Sequence, residues 1–225
     1  MSSDTVSSQS PEVSEQMQVR LDKRARIIAD GGQAYPVDLL RDHTLAQIRQ
    51  KYTDDLGELT LAPGEETTDE VAIGGRVVFV RNTGKLCFAS LQDGFTETSN
   101  GERLQVMLSK AEVGDEALAA WKSDVDLGDH VWVRGRVVVS RRGELSIMAS
   151  EWRMASKALR PLPTLHKELS EESRVRRRYA DLVVRDESRQ MVRTRAIITR
   201  AVRHALDERG FLEIETPILQ LVHGG

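Results

Sequence analysis

Five stretches of this chain are β-rich, and one helix-period stretch separates the third from the fourth. The β-rich stretches cover 71–80, 86–93, 103–109, 129–140 and 144–154, each bounded by turn residues. The interruption at 113–123 spaces Val113, Ala117, Ala120 and Trp121 along one helix face. A period of two fixes which side chains share a face, and a one-residue slip would turn the apolar set outward. The middle of the chain is thereby confined to a strand-built core with one helical insertion.

Five strands with a helix between the third and fourth is the order of an OB-fold barrel. An SH3-like barrel or an irregular sandwich shares much of this pattern and stays open on alternation alone. Residues 1–14 are polar and read as a disordered tail. Apolar Val13, Met17, Leu21 and Ile28 form a helical stripe that Gly31-Gly32 stops. Its other face carries Arg20, Lys23, Arg24 and Arg26, either solvated or placed to contact phosphates. Residues 45–52 read as a short helix, and Pro63-Gly64 marks a boundary near Thr67. Beyond the strands, 157–167 contains Pro161 and Pro163 and reads as a linker. Ser170 with Glu171 and Glu172 starts a helix, and Arg174, Arg176, Arg177 and Arg178 follow as a further set placed for phosphate contact. A longer helix over 187–209 has Met191, Ile198, Val202 and Ala205 on one face and Gly210 as its stop. The expected class is α+β, divided into a tail (1–14), a helical segment (15–67), a barrel (68–156), a linker with a helix (157–190) and a last unit (191–225).

Charged residues make up 30% of the 225, yet the net charge is only −3, so affinity for nucleic acid has to come from local clusters. The single cysteine, Cys87, excludes an internal disulfide framework and suits a reducing cytosol. No signal-peptide core and no apolar run of about 18–20 residues is present, so a cytoplasmic chain without membrane contact is expected. His43, His130, His166, His204 and His223 are too dispersed for zinc spacing. There is no G-x-x-x-x-G-K-[ST] phosphate loop. No metal ligand and no catalytic residue is therefore assigned within this chain.

Alternation sorts the strands into faces. Cys87, Ala89 and Leu91 share one face as barrel interior, which turns Phe88 outward with Ser90 and Gln92. Leu104, Val106 and Leu108 face inward and turn Gln105 outward. Leu145, Ile147 and Ala149 do the same for Glu144 and Ser146. An aromatic, an amide and a carboxylate thus sit on the outer faces of three strands, where OB-folds bind single strands by stacking bases and meeting their edges. Arg76, Arg81 and Lys85 are placed to meet phosphates. Against this, Phe88 is an ordinary surface aromatic or one covered by the N-terminal helix, and Gln105 and Glu144 taken singly are solvated surface. Cys87 reads as a core thiol.

The segment Gly75-Arg76-Val77 through Arg81 to Gly84-Lys85, then Phe88, Leu91-Gln92-Asp93 and Leu104-Gln105-Val106, resembles the anticodon-binding domain of class IIb aminoacyl-tRNA synthetases. Tyr35-Pro36, Arg41-Asp42-His43-Thr44, Gly143-Glu144-Leu145-Ser146, Lys157-Ala158-Leu159-Arg160-Pro161-Leu162-Pro163 and Arg178-Tyr179-Ala180-Asp181-Leu182 favour the lysyl member, of bacterial type. The resemblance covers nearly the whole chain, from about Glu15. It implies that Phe88 stacks on the central anticodon base, Gln105 bonds its edge, Glu144 reads a neighbouring position and Arg76 helps hold the loop. The stretch from Gly210 to Leu219 resembles the family's motif 1, a helix end, short strand and proline. It matches at Gly210, Phe211 and Pro217 and implies a two-fold dimer interface.

The implied activity is ATP- and Mg²⁺-dependent formation of lysyl-adenylate and transfer of lysine to tRNA-Lys. The implied partners are the tRNA, lysine and a second copy. The sequence stops just after motif 1, without motifs 2 and 3, so this chain alone is expected to bind no ATP or Mg²⁺ and to be inactive. The stretch 94–100 is longer than the family's tight turn. A stand-alone OB-fold RNA-binding module, an aspartyl- or asparaginyl-tRNA synthetase, and a lysyl-transferring paralogue that modifies protein are the alternatives. The last is disfavoured because such relatives lack the OB domain.

Overall fold

The computed structural model describes residues 14–95, 101–163 and 169–217. The tail expected at 1–14, the end of motif 1 beyond Pro217 and most of the 94–100 stretch lie outside them, apart from Ser14. Ser14 caps α1 (Glu15–Ala29), its hydroxyl accepting from the Met17 N–H at 3.3 Å. Thr44 and Gln47 form a reciprocal capping box on α2 (Leu45–Lys51).

Five strands follow: β1 (Glu66–Thr83), β2 (Leu86–Gln92), β3 (Arg103–Ser109), β4 (His130–Val139) and β5 (Leu145–Ser156), with α3 (Lys110–Asp124) between the third and fourth. They close into a barrel in the order β1-β2-β3-β5-β4. β1 spans two neighbours, pairing with β4 along Glu66–Arg76 and with β2 along Arg76–Thr83. All pairs are antiparallel except β3 with β5. Gly135 lets β4 cross β5 closely, since a Cβ there would lie 2.1 Å from the Met148 carbonyl oxygen.

The interior is filled by the alternating set: Cys87, Leu91, Val106, Leu108, Ile147 and Ala149 are fully buried, as are Val77, Val131 and Val133. Each buried aliphatic side chain contributes roughly 1.5–3 kcal/mol. α3 packs Leu118 and Trp121 onto this core, and Trp121 meets Trp152 edge to face at 5.1 Å. Burial raises the Cys87 thiol pKa, as suits a core thiol.

α1 docks by a face turned partly away from its apolar stripe, with Met17 and Leu21 half-buried. Ile28 is 49% exposed, whereas Arg20 is buried and donates to the carbonyls of Leu127 (2.8 Å) and Ala158 (3.0 Å). Lys23 pairs with Asp126 and Arg26 with Asp124, while Arg24 lies 5.6 Å from the Tyr35 ring. The surface beneath the helix is carbonyl and carboxylate, and an Arg fork on an aliphatic stem satisfies it. Arg20, Lys23 and Arg26 therefore hold the helix down. The phosphate role expected of this cluster is corrected for those three.

After the linker come α4 (Glu171–Arg176), capped by Ser170, then α5 (Arg178–Val184) and α6 (Asp186–Asp207). Asp181 ties α5 to α6 by accepting from Ser188 Oγ at 2.6 Å, flanked by Arg178 and Arg185. Gly210, at φ 81°, ends the last turn. The short strand expected after it is absent among the described residues, where 211–217 are irregular. A strand needs a ladder partner, and no neighbouring strand is offered to it there.

Candidate nucleic-acid interface

The outer face of β1, β2, β3 and β5 is laid out in registered rows. One row runs Arg81–Phe88–Met107–Met148 and the next Phe79–Ser90–Gln105–Ser146. Neighbouring strands lie about 4.8 Å apart, so these rows form a small lattice of side chains on one surface. The structure places Phe88, Gln105 and Glu144 on a diagonal across it, each one strand over and two residues along from the last.

Phe88 is half-buried, and the Arg81 guanidinium lies 4.7 Å from its ring centroid. That cation–π contact covers the aromatic and brings a positive charge beside it. Gln105 Nε2 donates to Ser146 Oγ at 2.9 Å, and Ser146 Oγ donates to the Glu144 carbonyl at 2.8 Å. Ser146 was expected outward and lies on the outer face, but it is fully buried beneath this relay. Gln105 and Glu144 are thus mechanically joined through one hydroxyl. The Glu144 side chain is exposed at the β4–β5 turn, where its backbone exchanges hydrogen bonds with Ser140.

Arg76 is not brought to this group. It sits where β1 changes partners, opposite Gln92 and His130, and donates to the Gly128 carbonyl at 2.9 Å. There it lines a cavity of about 310 Å³ with Arg41, His130 and Arg189, beside Leu182 and Val183. Burial lowers the Arg76 pKa from its ordinary value; burial, then the Arg76 charge, lowers His130 to about 4.

Sequence alternation missed Phe79. Strict alternation from Val77 inward makes Phe79 an interior residue. The ladder instead slips between Val77 and Phe79, so Val78 is a bulge, Val80 pairs with the interior Ala89, and Phe79 emerges 54% exposed opposite Ser90. The sequence signal was an unbroken apolar run, Val77-Val78-Phe79-Val80, in which alternation assigns no face.

The expected dimer residues lie at the other end of the chain. Met191, Ile198 and Val202 of α6 are 59%, 58% and 56% exposed, and Phe211 beyond Gly210 is 61% exposed. Pro217 is exposed too. Among the described residues no group of three His, Cys, Asp or Glu side chains converges as a metal site, and no helix is long and apolar enough to cross a membrane.

Residues 71–155 match the family model of the OB-fold nucleic acid binding domain, and residues 170–225 match that of tRNA synthetases class II (D, K and N). The chain is 59% identical over 214 residues to a lysine–tRNA ligase of Kineococcus radiotolerans, covering 95% of the chain and 41% of that protein. A Mycolicibacterium gilvum lysine–tRNA ligase is 55% identical, with 95% and 40% covered. A bifunctional lysylphosphatidylglycerol biosynthesis protein of Rhodococcus jostii is 40% identical over 96% of the chain but only 18% of its own length. The chain spans about two-fifths of the length of the ligases it matches. An OB-fold followed in one chain by the opening of a class II synthetase domain, at this identity to lysine–tRNA ligases, places the chain in the class II lysyl-tRNA synthetase family, whose N-terminal part it matches.

Proposed function

We propose that this chain recognises the anticodon loop of tRNA-Lys for a lysine–tRNA ligase and contributes to that enzyme's dimer interface. The observation that carries the reading is the Phe88–Gln105–Glu144 diagonal on the open outer face of the barrel. Phe88 supplies a stacking surface beside the Arg81 charge, Gln105 an amide for a base edge, and Glu144 a carboxylate that accepts from a base N–H. The Gln105–Ser146–Glu144 relay ties the Gln105 amide to the Glu144 backbone, which supports a set spacing between the two positions. Arg76 acts at one remove, holding the α3–β4 connection through Gly128.

In the whole protein, ATP and Mg²⁺ support activation of lysine before its transfer to tRNA. No described residue is given a part in those steps. The exposed α6 stripe with Gly210, Phe211 and Pro217 is proposed to meet its own copy across a two-fold axis. The Rhodococcus relative carries the same segment inside a bifunctional protein, which makes a lysylphosphatidylglycerol-forming protein the second reading. The identity to the ligases favours the first. For the anticodon role, Phe88→Ala should weaken binding of a U-rich anticodon stem-loop by about 1–3 kcal/mol with the thermal midpoint unchanged. Unaltered affinity in a fluorescence-anisotropy titration would remove Phe88 from the site.

A further inference from the structure

Phe79 stands out on the outer face because, among the described residues, the packed core does not include its ring. It is 54% exposed, it lies outside the packed core cluster, and a bulge in β1 is what brings it to the surface. A bulge interrupts a ladder and re-aims a side chain, and here it turns an aromatic out of the barrel wall. Its row partners are Ser90 and then Gln105. Its diagonal neighbour is Phe88, two residues before Ser90 on β2, at the roughly 7–8 Å separation that diagonal pairs keep. Gln105 occupies the matching diagonal on the opposite side of Phe88. The small Ser90 between Phe79 and Gln105 leaves a shallow floor flanked by an aromatic on one side and an amide on the other.

We propose that Phe79 is a second base-stacking platform, holding a nucleotide next to the one stacked on Phe88. The inference rests on the reading of this face as a single-stranded RNA site. Every base has a π-face, so this contact adds affinity and fixes the path of the strand without selecting a base. The surroundings suit RNA better than a protein partner. Phe79 faces Ser90 across the ladder and shares its side of β1 with the Arg81 charge, whereas the core of a protein–protein patch is apolar and poor in charge. Val78, the other residue displaced by the bulge, lines the cavity under Pro161, Leu162 and Val183 and offers no apolar continuation outward.

Binding of an anticodon stem-loop by the 225-residue chain tests this with Phe79→Ala, Phe79→Leu, Phe79→Trp and Phe88→Ala. Phe79→Ala and Phe79→Leu should each lose about 5- to 150-fold in affinity, while Phe79→Trp retains it, all with unchanged thermal midpoints. Bases are then removed one at a time as abasic nucleotides. The abasic position that makes Phe79→Ala silent should differ from the one that makes Phe88→Ala silent. Wild-type affinity of Phe79→Leu, with loss in Phe88→Ala, would overturn the second platform and leave the RNA site standing. No loss in either variant would overturn both. A single abasic position silencing both would show one shared base and overturn the proposal. A change in sedimentation of Phe79→Ala without loss of RNA affinity would make Phe79 a protein contact and overturn it as well.

Discussion

Lys157 has a side chain with no exposed surface, and its ammonium rests between Asp126 (2.6 Å) and Asp129 (2.7 Å) while donating to the Asp124 carbonyl. Asp129 also accepts from the Ala158 N–H, so one carboxylate fixes both the lysine and the start of the linker. Removing one partner of a buried pair leaves a charge uncompensated. Asp129→Ala should therefore cost about 3 kcal/mol by urea denaturation, and a loss under about 1 kcal/mol would show the cluster to be dispensable. Burial alone would raise the Asp126 pKa, but hydrogen bonds from Lys157 and Lys23 outweigh it and hold the carboxyl below its ordinary value. A depressed carboxylate stabilises the fold fully above its unfolded pKa, about 3.9, and that share is lost as pH falls through the lower folded value. Docking of α1 through Lys23 should accordingly loosen only below about pH 4, a loss that Lys23→Met should reduce while Lys157 still holds the Asp126 carboxyl down. None of this was legible in sequence, where Lys157 sits in a proline-rich linker and charge signals surface. Phe88 and Gln105 were placed on the outer face by alternation alone, because β2 and β3 are regular through those residues; Glu144 follows from the same alternation carried one residue ahead of β5.

At the scale of elements, sequence alternation succeeds wherever a strand keeps its register and fails where it slips. β2 and β3 hold register throughout their pairing, and their expected bounds differ from the observed ones by one residue at most. β1 is long, changes neighbours and slips after Val77, so no single alternation describes it and Phe79 was lost. β4 and β5 slip between Arg134 and Gly135, where the missing Cβ admits the Met148 carbonyl. Gly135→Ala should destabilise the barrel by about 1–3 kcal/mol or more, read as a lowered urea midpoint. A neutral effect would show that β4 can shift at no cost. The α1 face was misread for a related reason: a period of 3.6 identifies an amphipathic helix, but not which side a polar docking surface will take.

The molecule as a whole carries a net charge of −3, and several of its basic residues pair within it: Arg20, Lys23 and Arg26 with the α3–β4 connection, and Arg176 and Arg178 with acidic neighbours on their own helices. On α6, Met191, Ile198 and Val202 leave an apolar stripe open. A charge set into that stripe by Ile198→Glu should shift the full-length protein from dimer to monomer in analytical ultracentrifugation, with stem-loop affinity unchanged. A dimer that survives would move the interface elsewhere. The closure of the barrel has a further consequence for how the protein is made. β3 finds its parallel partner only in β5, and the first half of β1 finds its partner only in β4. At about 5–20 residues per second, the stretch from Lys110 to Ser156 takes about 2–10 s to synthesise. For that interval the nascent β1-β2-β3 meander shows two unpaired edges, and the ribosome itself, holding the chain by its growing end, sets the moment at which the barrel can shut.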